Sequence, residues 1–147
     1  MIKEDFPIKG DLHIVVRDAQ TGQVKVDRLE KNLVVTAGKS WIASRMGSAS
    51  AAVMSHMAVG TNNTTPAGTD TTLNTEIARV ALTSSTVNSN TIQYVATFPA
   101  GTGTGALVEA GILNAASVGT LLSRTTYTVV NKGAGDEMTI TWVITVG

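Results

Sequence analysis

His13 and His56 are the only imidazoles in the chain, and there is no cysteine. An imidazole can act as a general base, complete a Ser-His-Asp relay or ligate a metal. Each of these uses needs company, either a hydroxyl with a carboxylate or further ligands at a matching spacing. His13 stands between Leu12 and Ile14, and His56 lies inside Met54–Ala58. Neither has a His, Asp or Glu at ligand spacing, so both read as packed or surface side chains. Without cysteine there is no thiolate zinc site, no sulfur nucleophile and no disulfide. Asp136-Glu137 could form a carboxylate pair, but neighbours on a strand point to opposite faces, and the pair reads as a solvated turn. Asp18, Asp70 and Asp136 fall in loops that lack the alternating oxygen ligands of a calcium site.

Two glycine motifs echo phosphate binders. Gly101-Thr-Gly103-Thr-Gly105 follows Phe98-Pro99 and leads into a strand, whereas a P-loop or dinucleotide loop must open a helix. Gly38-Lys39-Ser40 stands at a helix start, but the upstream glycine of a P-loop is missing from Asn32-Leu33-Val34-Val35. The first motif reads as a flexible loop and the second as a helix-cap region. Trp41 and Trp142 sit on apolar stripes and read as core anchors. No catalytic, cofactor-binding or metal-binding residue is expected, no cofactor is implied, and the chain does not read as an enzyme.

The elements that would have to position such residues are mostly strands. Met138, Ile140, Trp142, Ile144 and Val146 share one parity while Thr139, Thr141 and Thr145 share the other, so this last segment predicts a strand with one buried face. Only Val143 breaks the pattern. Leu12–Arg17 and Val24–Leu29 predict a hairpin around the Asp18–Gln23 turn, where Gly22 can take a positive φ. Leu33–Val35 and Met54–Val59 read as further strands. Between them Thr36 is placed as N-cap of a helix over residues 37–46, ended by Gly47, with Trp41, Ile42, Arg45 and Met46 on one face. Gly60–Asn74 is a surface loop. Ile77–Thr83 and Thr91–Phe98 are expected to pair around Asn88-Ser-Asn90. Leu107–Leu113 and Thr120–Val130 add strands, and Lys132–Asp136 turns into the last one. About eight short strands with frequent turns predict an all-β antiparallel sandwich, of jelly-roll or immunoglobulin-like order. The chain divides into an N-terminal arm over 1–10 and a single β-sandwich domain over 11–147.

The chain has 147 residues, 11 basic and 11 acidic. Its balanced charge shows none of the basic excess that nucleic-acid binding uses. No stretch approaches the roughly 18 apolar residues of a membrane span, and residues 1–30 hold no apolar run suited to a signal peptide. The expectation is a soluble protein folded in a cytoplasm, with no nucleic-acid or membrane partner. Fourteen charged residues precede residue 46 and only eight follow it. The later surface is therefore Thr, Ser, Ala, Gly and Asn, which loses little side-chain entropy when another protein covers it.

Asn32–Met46, Met54–Gly60, Thr71–Leu82, Phe98–Gly105, Glu109–Asn114 and Val130–Gly133 together resemble a group of small structural proteins from tailed bacteriophages. The resemblance spans most of residues 32–147 and includes no catalytic motif. It implies a virion structural protein. Within that class the leading expectation is a jelly-roll-like capsid cement or decoration protein on the outer capsid surface, assembled in the host cytoplasm. Such a protein would bind the major capsid protein and itself, as a dimer or trimer, and stabilise contacts between capsid subunits. The alternative is a tail-fibre or baseplate module. A third possibility is a receptor- or glycan-binding domain using the loops Gly60–Asn74 and Ala100–Gly105.

Overall fold

The computed structural model describes residues 6–47 and 51–147. The parity of the last strand holds: Met138, Ile140 and Trp142 are fully buried and Ile144 nearly so, while Thr139, Thr141 and Thr145 face outward. Val143, the break in the pattern, lies on the outer face with the threonines.

In chain order the elements are β1 (Ile8–Asp18), β2 (Val24–Lys31), β3 (Leu33–Val34), α1 (Thr36–Met46), β4 (His56–Gly60), β5 (Glu76–Ala81), β6 (Ser84–Asn88), β7 (Thr91–Phe98), β8 (Gly105–Leu113), β9 (Leu121–Lys132) and β10 (Asp136–Val146). They form two five-stranded sheets. Sheet A runs β2-β1-β10-β7-β6 and sheet B runs β3-β9-β8-β4-β5, with all pairings antiparallel. The protein is an all-β antiparallel sandwich with one short helix among the described residues. Its strand order rests on hairpins between consecutive strands: β1–β2, β4–β5, β6–β7 and β8–β9.

The core lies between the sheets. Leu12, Ile14 and Val16 of β1 and Tyr94, Ala96 and Phe98 of β7 meet Met57, Val59, Leu107 and Ile112 from sheet B. Each large side chain so buried contributes about 1.5–3 kcal/mol. Trp142 is the largest of these residues. A second, smaller cluster of Val35, Ala58, Leu73, Leu113 and Leu121 lies under the 61–75 segment, which folds over sheet B. Among the described residues no helix is long and apolar enough to cross a membrane.

Several local expectations change. The structure has ten strands among the described residues, not eight. Ile77–Ala81 pairs with β4 and not with Thr91–Phe98; of the 77–83 segment only Thr83 bonds β7, its amide donating to the Val95 carbonyl at 2.7 Å. The chain leaves β5 in sheet B, crosses at Leu82–Thr83 and enters sheet A as β6, and it is β6 that makes the hairpin with β7. Thr36 is the first helical residue and Val35 the N-cap, with no side-chain cap; the Thr36 amide donates to the Gly68 carbonyl at 2.8 Å. A tertiary acceptor thus takes the place of a local one. Gly47 ends the helix in extended backbone. Trp41 and Ile42 pack partly against the core, whereas Met46 is 86% exposed. Residues 1–5 of the segment read as an arm lie outside the described residues, and Ile8–Gly10 already belong to β1, paired with Ile144–Val146 of β10.

Candidate functional site

The two histidines sit in different sheets, His13 on β1 and His56 on β4. His13 Nε2 lies 2.7 Å from Asp27 Oδ1 across the hairpin, and His56 Nδ1 lies 2.8 Å from Ser55 Oγ. Each therefore holds half of a relay. His13 has a carboxylate and no hydrogen-bonded hydroxyl, and His56 has a hydroxyl and no carboxylate, among the described residues. A working triad needs all three in one chain of hydrogen bonds. Among the described residues no three His, Asp or Glu side chains gather as a metal-holding group.

The carboxylates are used to shape turns. Asp18 accepts from the Thr21 and Gln20 amides at 2.8 and 2.9 Å, which hold its carboxyl below the ordinary range. Asp136 is not a solvated turn residue: it is 4% exposed. It accepts from Lys25 Nζ at 2.7 Å and from the Gly133 amide at 2.8 Å, and both donors lower its pKa. The same contact raises Lys25. Glu137 points the other way and is partly exposed, as strand alternation requires.

The densest polar constellation was missed by local reading. Glu109 on β8 and Arg124 on β9 are both fully buried, on the outer face of sheet B. Both Nε and Nη2 of Arg124 reach Glu109 Oε2 at 2.9 Å, and Nη1 reaches Asp70 at 3.1 Å. Glu109 also accepts from the Thr75 amide at 2.8 Å, Asn74 at 3.1 Å and Asn62 at 3.4 Å. These contacts clip both ends of the 61–75 segment to the sheet. Nearby, Tyr127 is buried and donates to the Glu109 carbonyl at 3.2 Å; burial, then the Glu109 charge, pushes its phenol up. The available signal was a lone charge inside each apolar run, Leu107–Gly111 and Leu121–Thr125. The bonds given to Arg124 and Glu109 all run to groups of this chain that hold the 61–75 segment, so the cluster is a structural clip.

The glycine motifs are likewise structural. Gly38 lies inside α1, where a Cβ would stand 2.1 Å from the Leu122 carbonyl oxygen, so glycine lets the helix touch sheet B. Gly101, Gly103 and Gly105 have φ of 84°, 68° and 147° and bring the chain round into β8. Neither the 60–74 nor the 100–105 loop contains an aromatic residue for a sugar to stack on.

What remains is surface. At one end of sheet A, Phe6, Val87, Ile92 and Val146 line an open apolar groove of about 490 Å³. A second, of about 330 Å³, separates Trp41, Val53 and Met54 from Val87, Ile92 and Tyr94. Phe6 and Val87 are 65% and 72% exposed.

A family model described as phage tail-collar fibre protein, N-terminal, matches residues 30–147. The chain belongs to that family. It is therefore a structural protein of a phage virion, the class its motifs resembled. Comparison with curated proteins and with solved structures finds no match. The family is one of tail fibres, so it favours the tail-fibre alternative, and nothing supports the capsid-cement reading or the outer-capsid placement. The motifs shared by small virion proteins carry the class, whereas position on the particle depends on a partner the sequence does not name. The match begins at residue 30, at the end of β2, although β1 is a central strand of sheet A.

Proposed function

We propose that the chain is a structural module of a phage tail fibre, acting as a homo-oligomer that joins neighbouring tail proteins. The family match over residues 30–147 carries this reading. A rigid sandwich suits it, because a fibre module transmits position through fixed surfaces. The low-charge surface after residue 45 suits it as well, since small polar side chains lose little entropy on being covered. The module works without catalysis or a cofactor, and its partners are tail proteins in place of the major capsid protein.

Labelled antibody on intact particles, with protein copy number per particle, tests this. The expected result is label at the tail and roughly 3–18 copies, as closed rings around a tail axis require. Label over the head with hundreds of copies would restore the capsid-cement role and overturn the fibre reading.

A further inference from the structure

At positive φ a Cβ crowds the carbonyl that follows it, so the left-handed turn conformation falls to glycine and, after it, to short polar residues such as asparagine. Among the described residues two that are not glycine take it, Ser89 at 55° and Val118 at 57°. Ser89 is small and polar and turns the hairpin between β6 and β7. Val118 is β-branched, the type that fits this region worst. It is also 79% exposed, so no packing among the described residues offsets the strain. In the isolated chain both properties count against a valine at this position.

The conformation is held from several sides. Arg79 on β5, its side chain only 9% exposed, donates from Nη1 to the Ala115 and Val118 carbonyls, both at 2.9 Å. Glu76 fixes that guanidinium in turn, accepting from Nε at 3.0 Å and from Nη2 at 2.7 Å. Asn114 closes the base of the loop, where its Oδ1 accepts from the Thr120 amide at 2.6 Å. Gly119 follows Val118 at φ 77°, and a Cβ there would stand 2.8 Å from that of Ala115. Strain that surrounding bonds hold in place is characteristic of ligand clamps and active sites. The loop reads Asn114-Ala-Ala-Ser-Val-Gly-Thr120 and carries no titratable group. No charged residue stands between Glu109 and Arg124. Beside the loop, Asn114 Nδ2 donates to the Ala52 carbonyl at 3.3 Å, which brings up Val53, itself 57% exposed.

We propose that Val118 is a contact residue, the tip of a preformed finger over residues 114–120 that enters an uncharged apolar socket on a neighbouring tail protein. The chemistry of the occupant follows from the finger. An isopropyl group flanked by Ser117 and Gly119 offers no charge to pair, so a charged socket would lose its hydration for nothing, while an apolar one gains by covering it. The socket takes from water a side chain that the fold leaves wet. Because Arg79, Glu76 and Asn114 already fix the backbone, little further ordering is lost on binding. This rests on the fibre reading and deepens it by naming the residue through which the module meets its neighbour.

The test supplies the full chain, as parent or variant, to phage whose own copy of its gene is deleted, and counts the chain in purified particles. Thermal unfolding of each purified chain is measured alongside. Val118→Asn keeps the left-handed turn and removes the apolar tip. It should melt at or above the parent temperature, because that backbone suits asparagine better than valine. Its copy number should nevertheless fall by about tenfold or more, as loss of a central apolar anchor predicts. Val24→Asn, at a valine 45% exposed on β2, is the control and should leave copy number unchanged. A melting temperature below the parent's would mean that Val118 supports the fold, and a parental copy number would mean that nothing grips it. Either result overturns the proposal, as does an equal loss for Val24→Asn. The place of antibody label on parental particles is read separately, so the finger can fail while the fibre assignment stands.

Discussion

Two faces of the molecule handle charge in opposite ways. On the β1–β2 hairpin of sheet A two close polar contacts lie in water: His13–Asp27 at 2.7 Å with side chains 44% and 62% exposed, and Lys31–Asp11 at 2.8 Å with 87% and 56%. On sheet B, Arg124 and Glu109 meet at 2.9 Å with both side chains fully buried. The distances are nearly equal, so distance does not separate them. Water and salt screen the first kind to about 0–1 kcal/mol, while breaking the second strands an unsolvated charge. The exposed charges of the β1–β2 hairpin therefore line an edge of sheet A, and the buried pair on sheet B fastens a loop.

The largest test of that contrast is Glu109→Ala. It leaves the Arg124 guanidinium buried beside Asp70 alone among carboxylates and frees the amides of Asn62, Asn74 and Thr75. The expected loss is about 3–5 kcal/mol in urea unfolding, with proteolysis appearing first in the 61–75 segment. A loss under about 1 kcal/mol would make the two sheets equivalent.

Next is Gly38→Ala, which drives a methyl into the Leu122 carbonyl and should cost about 1–3 kcal/mol. Gly135→Ala is its control on the turn into sheet A, where nothing lies within 4 Å, and should stay within about 0.5 kcal/mol. Equal thermal shifts for the two would show that α1 can retreat from sheet B.

Lys132 sharpens the meaning of buried charge. It is 2% exposed on β9, and its ammonium donates to the Pro99 carbonyl at 3.0 Å. Burial lowers its pKa. The Thr102 amide also serves that carbonyl, so Lys132→Met strands no partner. The substitution should be neutral or stabilising by about 1 kcal/mol in thermal unfolding. A clear loss would mean the ammonium holds the 100–105 loop.

The Lys25–Asp136 pair stands between the extremes, with side chains 46% and 6% exposed. The folded pKa of Asp136 lies below 3.8, chiefly through Lys25. Its contribution is present above 3.8 and is lost as pH falls through the depressed folded value. Lys25→Met should flatten that acid limb in pH-dependent unfolding. At the other end burial raises the phenol of Tyr94 from 10.0 to about 12, so its contribution is complete below 10.0 and fades as pH rises through about 12. Absorbance titration should show Tyr94 ionising late. The smallest effect belongs to His13→Gln, expected at under about 1 kcal/mol in thermal unfolding because both partners are exposed.

Legibility followed the same divide. The β1–β2 hairpin, the helix and the alternation of β10 were readable, because each rests on neighbours in sequence. The β5–β6 break was not, since Ile77–Thr83 has no local sign that it changes sheets. Asp136 looked like a turn residue because its partner Lys25 lies at the far end of the chain. Glu109 and Arg124 were visible as isolated charges in apolar strands, but not as a pair.

The residues by themselves determined that this chain makes short amphipathic strands around an apolar core, with no local motif for catalysis. They did so because side-chain periodicity is a property of one segment. Tertiary structure alone decided which strand lies at which edge, which charges are dry and which exposed valine is held in a left-handed turn. Those depend on what packs against a segment, and burial, which sets the worth of every charge here, is conferred by distant parts of the chain.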